Sequence, residues 1–376
     1  MGYSCDAAAE RLAERLGHSC HHAEPIVDVR NPFGLENATM PFLELLVIGG
    51  AVFALIHAWR RWRRDGDPVN ISLWFASIVY LAVIEPPLYF PDWFGLQEHV
   101  GLIFSHNVFT VQFMYDRLPL YIVAFYPALS QLAYEVIRAL GVFVRRGPLA
   151  GSLAVAFTCQ AFYEIFDQLG PQLRWWAWNT DNEMINAPAL ASVPMNSMFL
   201  FASVSFGALT YLVTLLTGTK RGRGPLTGRQ ISLRTLAAGA LTPLAMAVAG
   251  LPSNLFRGGD HLGIQQAILT TELALVWIAG LILLADAWRA ASRADQPPVP
   301  SPQFARIYPA LYLGVHMVLW LIALPAYFAA DDGITEQGTP VGSLWYAALC
   351  ALAAAGLIAA VLRATTSKKI REPVRS

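Results

Sequence analysis

The sequence predicts an all-α polytopic integral membrane protein, a helical bundle of about nine transmembrane helices with the N-terminus outside and the C-terminus in the cytoplasm. Three observations carry this. The chain is 55% hydrophobic and only 14% charged, against about 25% charged for an average soluble domain, and its mean hydropathy is +0.45. Its apolar residues fall in blocks of roughly 18 to 25, the length that crosses a bilayer core as helix. Its basic residues alternate from one loop to the next, as the positive-inside rule requires. A chain of 376 residues would otherwise suggest two or three soluble domains. Net charge is zero, so nothing points to a nucleic-acid partner.

Nine spans are expected, over about 41–59, 71–89, 119–143, 148–166, 195–217, 235–255, 264–287, 307–329 and 341–362. Arg60, Arg61, Arg63 and Arg64 follow the first span. On the same side lie Arg138, Arg145 and Arg146, then Lys220, Arg221, Arg223, Arg229 and Arg234. Arg289, Arg293 and Arg306 come next, and Arg363, Lys368, Lys369, Arg371 and Arg375 close the chain. Twenty of the 26 basic residues thus share one side, and Arg11, Arg15, Arg30, Arg117, Arg174 and Arg257 take the other. One miscounted span would scramble that alternation.

The expected organisation begins with an extracytoplasmic segment, 1–40, and a seven-helix core, 41–289, bearing long outer loops at 91–118 and 167–194. A Pro-rich cytoplasmic linker follows at 290–305, then a transmembrane hairpin at 306–363 and a basic tail at 364–376. The first 40 residues lack an apolar h-region, so no cleavable signal peptide is expected; the plasma (inner) membrane is the expected location. Residues 6–17 read as an amphipathic surface helix. Cys5 and Cys20 fall in the same outer, oxidising compartment and are candidates for a disulfide, while Cys159 and Cys350 sit inside spans.

Ionisable residues within spans are expensive and therefore candidates for function. Glu85, Glu164, Asp167 and Glu272 lie near outer span ends, with Glu135 and His316 deeper. Glu164 and Asp167 are three apart, which puts both carboxyls on one helical face, with Gln160 one turn before. Arg174-Trp175-Trp176-Ala177-Trp178 comes next, and then Val193-Pro194-Met195-Asn196 at the mouth of the following span. A carboxyl in an apolar pocket becomes a proton donor near neutral pH. Two close carboxyls separate into an acid and a base, and aromatic faces stabilise a carbocation. That set suits protonation of an isoprenoid double bond followed by water addition or ring closure.

Plainer readings stand beside it. The tryptophans equally suit an interfacial belt, and Glu164 and Asp167 could reach outer water or pair with Arg174. Glu135 with Gln131 and Arg138 suits an interhelical polar contact, as do Glu272 and His316 singly. Glu85 precedes Pro86-Pro87 and could satisfy backbone donors freed there. His99 and His106, near Glu98 and Asp116, lack metal-ligand spacing, so no metal site is expected. No nucleotide-binding loop, dinucleotide fingerprint, nucleophile elbow or paired aspartate motif of an intramembrane prenyltransferase is present, and no cofactor is called for.

Two blocks resemble the membrane carotenoid-biosynthesis family that includes the bisanhydrobacterioruberin hydratases and related carotenoid 1,2-hydratase-type proteins. The first runs from Glu85 through Gly101-Leu102-Ile103-Phe104, His106-Asn107, Met114-Tyr115 and Leu118-Pro119-Leu120 to Tyr126-Pro127. The second is Glu164-Ile165-Phe166-Asp167, Trp175-Trp176-Ala177-Trp178 and Val193-Pro194-Met195-Asn196. The resemblance covers about 85–200 and implies an isoprenoid or similar lipid substrate held at the outer end of helices two to five. Glu164, Asp167 and Glu85 are then the expected catalytic residues, one carboxyl as acid and another orienting water. His106, Asn107, Tyr115, Trp175, Trp176, Trp178 and Asn196 are the expected substrate-binding set. The bilayer and its lipids are the expected partners, and no oligomeric state is assigned. The rival expectations are a proton-coupled transporter or channel using Glu135, Glu164, Glu272 and His316, and a non-catalytic membrane assembly partner.

Overall fold

A computed structural model describes residues 5–21, 23–218, 224–292 and 302–369. Most of the Pro-rich linker, the end of the basic tail, His22 and the basic residues Lys220, Arg221 and Arg223 lie outside the described residues. In chain order the helices are α1 (Ala7–Leu16), α2 (Thr39–Asp65), α3 (Val69–Tyr89), α4 (Leu120–Ala139), α5 (Val142–Asp167) and α6 (Glu183–Asn186). A π-helical stretch, Ser197–Ser205, leads into α7 (Phe206–Thr217). Then come α8 (Gly228–Ala249), α9 (Leu251–Asn254), α10 (Leu262–Ser292), α11 (Gln303–Phe328) and α12 (Leu344–Lys369). Nine helical segments among the described residues are long and apolar enough to cross a membrane; the protein is an all-α polytopic bundle.

The bundle is built around α4 and α5, whose apolar windows are 89% and 78% buried, whereas that of α10 is only 17% buried and faces outward. Local chemistry moves some span ends from where hydropathy puts them. α8 starts at Gly228 rather than near 235, because Thr227 and Gln230 form a reciprocal capping box that satisfies orphan N–H groups. α5 is broken at Gly147, whose φ of 81° leaves the helical region, and it resumes at Pro148, a residue suited to a first turn. The apolar span therefore begins there, as hydropathy suggests.

Everything outside the spans that has strand structure is small. β1 (Val27–Val29) pairs with β3 (Val111–Phe113), and β3 with β4 (Leu118–Pro119), all antiparallel. β2 (Phe104–His106) pairs with β5 (Trp176–Trp178), and β6 (Ala189–Leu190) with β7 (Val193–Pro194). The two long loops are thus stitched to each other and to the N-terminal segment, at the end that the charge asymmetry assigns to the outside. α1 lies on this cap: Asp6 accepts from the Ala9 N–H at 2.8 Å, Gly17 closes the helix at φ 88°, and Leu12 and Ala13 are buried against Leu102, Cys20 and Ala177. Cys5 and Cys20 are joined by a disulfide across the helix, with Cα atoms 5.8 Å apart.

Candidate functional site

The β2·β5 ribbon decides what the cap presents to the bundle. Successive side chains on a strand point to opposite faces. Phe104 opposes Trp178 and His106 opposes Trp176 on one face, with Ser105 and Ala177 on the other. Ala177 packs toward α1, so Phe104, His106, Trp176 and Trp178 turn inward. They roof a cavity of about 320 Å³ whose walls come from α3, α4, α5, the π-helical stretch and the outer end of α8. Tyr126, Tyr163, Leu200 and Met246 are among its lining. The wall is overwhelmingly apolar, and its rim includes the exposed Ala247.

Two carboxyls meet this space. Glu85 of α3 is 5% exposed and accepts a hydrogen bond from the Tyr126 hydroxyl, with the Tyr89 hydroxyl also beside it. Asp167, at the end of α5, is 2% exposed; Ser197 offers it a hydrogen bond and Oδ2 has no partner. Among the described residues neither forms an ion pair. Asn196 donates weakly to the Ile185 carbonyl at 3.4 Å and leaves Oδ1 buried and unpartnered. The indole N–H groups of Trp176 and Trp178 are also buried without acceptors. Buried polar atoms are normally hydrogen-bonded, and the open donors and acceptors on this wall leave the cavity able to meet a polar group or water.

His106 closes the outer side. Its Nε2 lies 3.1 Å from the Tyr89 hydroxyl and its Nδ1 3.3 Å from that of Tyr121. Burial, aided by the nearby Arg117 charge, pushes its imidazole down to about 3, so the ring is neutral at physiological pH and acts as a hydrogen-bonding partner to both tyrosines.

Of the residues singled out in the sequence, Glu85, Asp167, His106, Trp176, Trp178 and Asn196 line the cavity. Glu164 does not. Its Oε2 accepts from Gln168 at 3.0 Å, and the Gln168 side-chain oxygen in turn accepts from the Ser343 N–H just before α12 at 2.7 Å. Asn107 is a strut: its amide donates to the Leu16 and Arg174 carbonyls at 3.0 and 2.7 Å, binding α1 and both long loops together. Trp175 is fully buried beneath the cavity, stacked on Phe166 and donating to Thr39 at 3.0 Å. Tyr115 packs with Phe90 and Trp93 away from the lining. Arg174 pairs with Glu36 at 2.7 Å and leaves both α5 carboxyls alone. His99 is exposed while His106 is buried, and Asp116 is held by Arg30 at 2.5 Å, so these form no common ligand set.

Tyr126 was visible in the sequence only as part of the first block and without a role, and Ser197 and the cavity-lining Tyr163 and Arg257 gave no site signal there. The π-helical stretch was also unforeseen; such widened turns recur at functional sites, and here one carries Ser197, Leu200 and Phe201 into the wall. Elsewhere Glu135 is consumed by a closed network. Arg138 donates to it at 2.8 and 2.7 Å, Asn70 at 2.8 Å, and His57 lies 3.3 Å away. No family model, curated protein or solved structure matches this chain.

Proposed function

We propose that this protein is a plasma-membrane enzyme that acts on an isoprenoid or similar lipid by acid–base chemistry, hydrating or cyclising at a double bond. One observation supports it above the others: an apolar cavity under the loop cap, lined by two carboxyls that form no ion pair among the described residues. Asp167 donates a proton to one alkene carbon. The cation that develops on the other carbon faces Trp176, Trp178 and Tyr163, where each cation–π contact is worth about 0.5–2 kcal/mol. Glu85, oriented by Tyr126, takes the proton lost by the attacking water, or by a neighbouring carbon if the chain closes on itself. His106 and Asn196 hold the roof and the mouth of the π-helical stretch in register. Glu164 acts from behind, through Gln168. The same chemistry is what the resemblance to the carotenoid-modifying enzymes implies.

A transport reading would draw on Glu135, and its engagement by Arg138, Asn70 and His57 counts against a mobile proton there. The test is product analysis in a host supplying candidate isoprenoids. Asp167→Asn and Glu85→Gln should each lower product at least about 100-fold, the usual worth of a general acid or base, while Glu164→Gln should stay within about tenfold. Unchanged product from both Asp167→Asn and Glu85→Gln would remove the proposal.

A further inference from the structure

The cations on the outer side do not share one fate. Arg11 pairs with Asp181, Arg30 with Asp28 and Asp116, and Arg174 with Glu36. Arg257, just after α9, forms no ion pair among the described residues. Its one hydrogen-bond partner is the neutral Asn254 side-chain oxygen, at 2.5 Å, and its Nε is buried with no partner at all. Yet Arg257 lines the same cavity as Asp167 and Glu85, next to α8 residues Met246 and Ala247.

A guanidinium whose Nε has no partner keeps a charge-assisted donor for a phosphate or carboxylate oxygen. Its place at the outer end of an apolar slot, where headgroups lie, adds the second half of an amphiphile's outline. We infer that the lipid bound here carries an anionic oxyanion headgroup, of which a phosphate monoester is the clearest case, held by Arg257 while its chain enters the cavity toward Asp167. This rests on the lipid-binding reading above and narrows it from hydrocarbons in general to charged-headed chains. Asp167 closes α5 and Glu85 lies one turn before the end of α3, on the walls of the cavity that Arg257 also lines, so one amphiphile can set its headgroup on the cation and its unsaturated chain beside the acid.

The experiment uses the purified full-length protein in maltoside micelles, with thermal unfolding as the readout of binding. The probes are dodecyl phosphate, dodecanol and inorganic phosphate. Dodecyl phosphate should bind at least about tenfold more tightly than dodecanol, and inorganic phosphate should neither bind measurably nor compete. Arg257→Gln should abolish the preference, and Arg257→Lys should keep part of it because it retains charge without the fork. Leu200→Trp, which fills the cavity, should block both chain-bearing probes; Ala247→Trp at the exposed rim is the parallel variant should the first not fold. Equal binding of dodecyl phosphate to wild type and Arg257→Gln, or equal binding of dodecanol, would overturn the headgroup inference while leaving the cavity reading intact, provided the tryptophan variants still block. Tight binding of inorganic phosphate alone would overturn it too. Binding indifferent to both tryptophan variants would overturn the inference and the proposed function together.

Discussion

Asp167 and Glu164 show how much a single helical step decides. Three residues on an α-helix are about 60° apart around the axis. That angle is small enough for both to count as one face in a sequence, and large enough to send Asp167 to the cavity and Glu164 toward α12. Their burial was legible; which of them lines the cavity was not, because it depends on how α5 is rotated against α12. His106 carries a pH consequence. The unfolded chain takes up its proton near 6.5, while the folded one, with the ring buried beside Arg117, does so only at about 3. Between those values the unfolded state binds more protons, so stability falls as pH drops, by up to about 1.4 kcal/mol per pH unit. His18, half-buried in the cap, is lowered as well, mainly by desolvation. Thermal midpoints measured between about pH 7 and pH 5 should decline for wild type and decline less steeply for His106→Gln; parallel slopes would exclude His106 as a contributor.

At the scale of elements, the apolar spans were readable because hydropathy over 20 residues is a strong signal. The cap was not. β2 and β5 are three residues each, too short for an alternating pattern to emerge, and they pair across 70 to 74 positions of sequence. Their aromatic content suggested an interfacial belt instead, yet Trp175 and Trp176 are 0% and 3% exposed. The ribbon depends on a close approach at Gly170, where a Cβ would fall 2.0 Å from the Trp176 ring. Gly170→Ala must therefore push Trp176 out of the roof. The expected cost is about 1–3 kcal/mol of overpacking, seen as a lowered thermal midpoint in detergent, together with loss of lipid turnover. A midpoint and turnover equal to wild type would show that the roof is not held this way.

For the molecule as a whole, the charge alternation makes a topological claim that the bundle's odd number of spans agrees with: the cap, the cavity and Arg257 belong to one face, and the arginines after α2 to the other. Cys159 and Cys350 are buried, so engineered cysteines should report cleanly. Trp93→Cys in the cap should react with a membrane-impermeant maleimide added outside intact cells, and Arg64→Cys should react only after lysis; the reverse pattern would invert the topology. The fold class and the span count were legible in the sequence, and so was the grouping of Glu85, Glu164 and Asp167 at the helix ends that meet the two long loops. The cavity was not, since it is made by the loops and the π-helical stretch meeting α3, the α4–α5 pair and α8. The central claim is that a lipid chain occupies that space, and photo-crosslinking tests it most directly. A prenyl chain bearing a terminal diazirine, incorporated into membranes with the full-length protein, should label peptides carrying Glu85, Trp176, Trp178 and residues 196–201, and Leu200→Trp should suppress that labelling. Label confined to the exposed apolar faces of α8 and α10, unaffected by Leu200→Trp, would contradict the account.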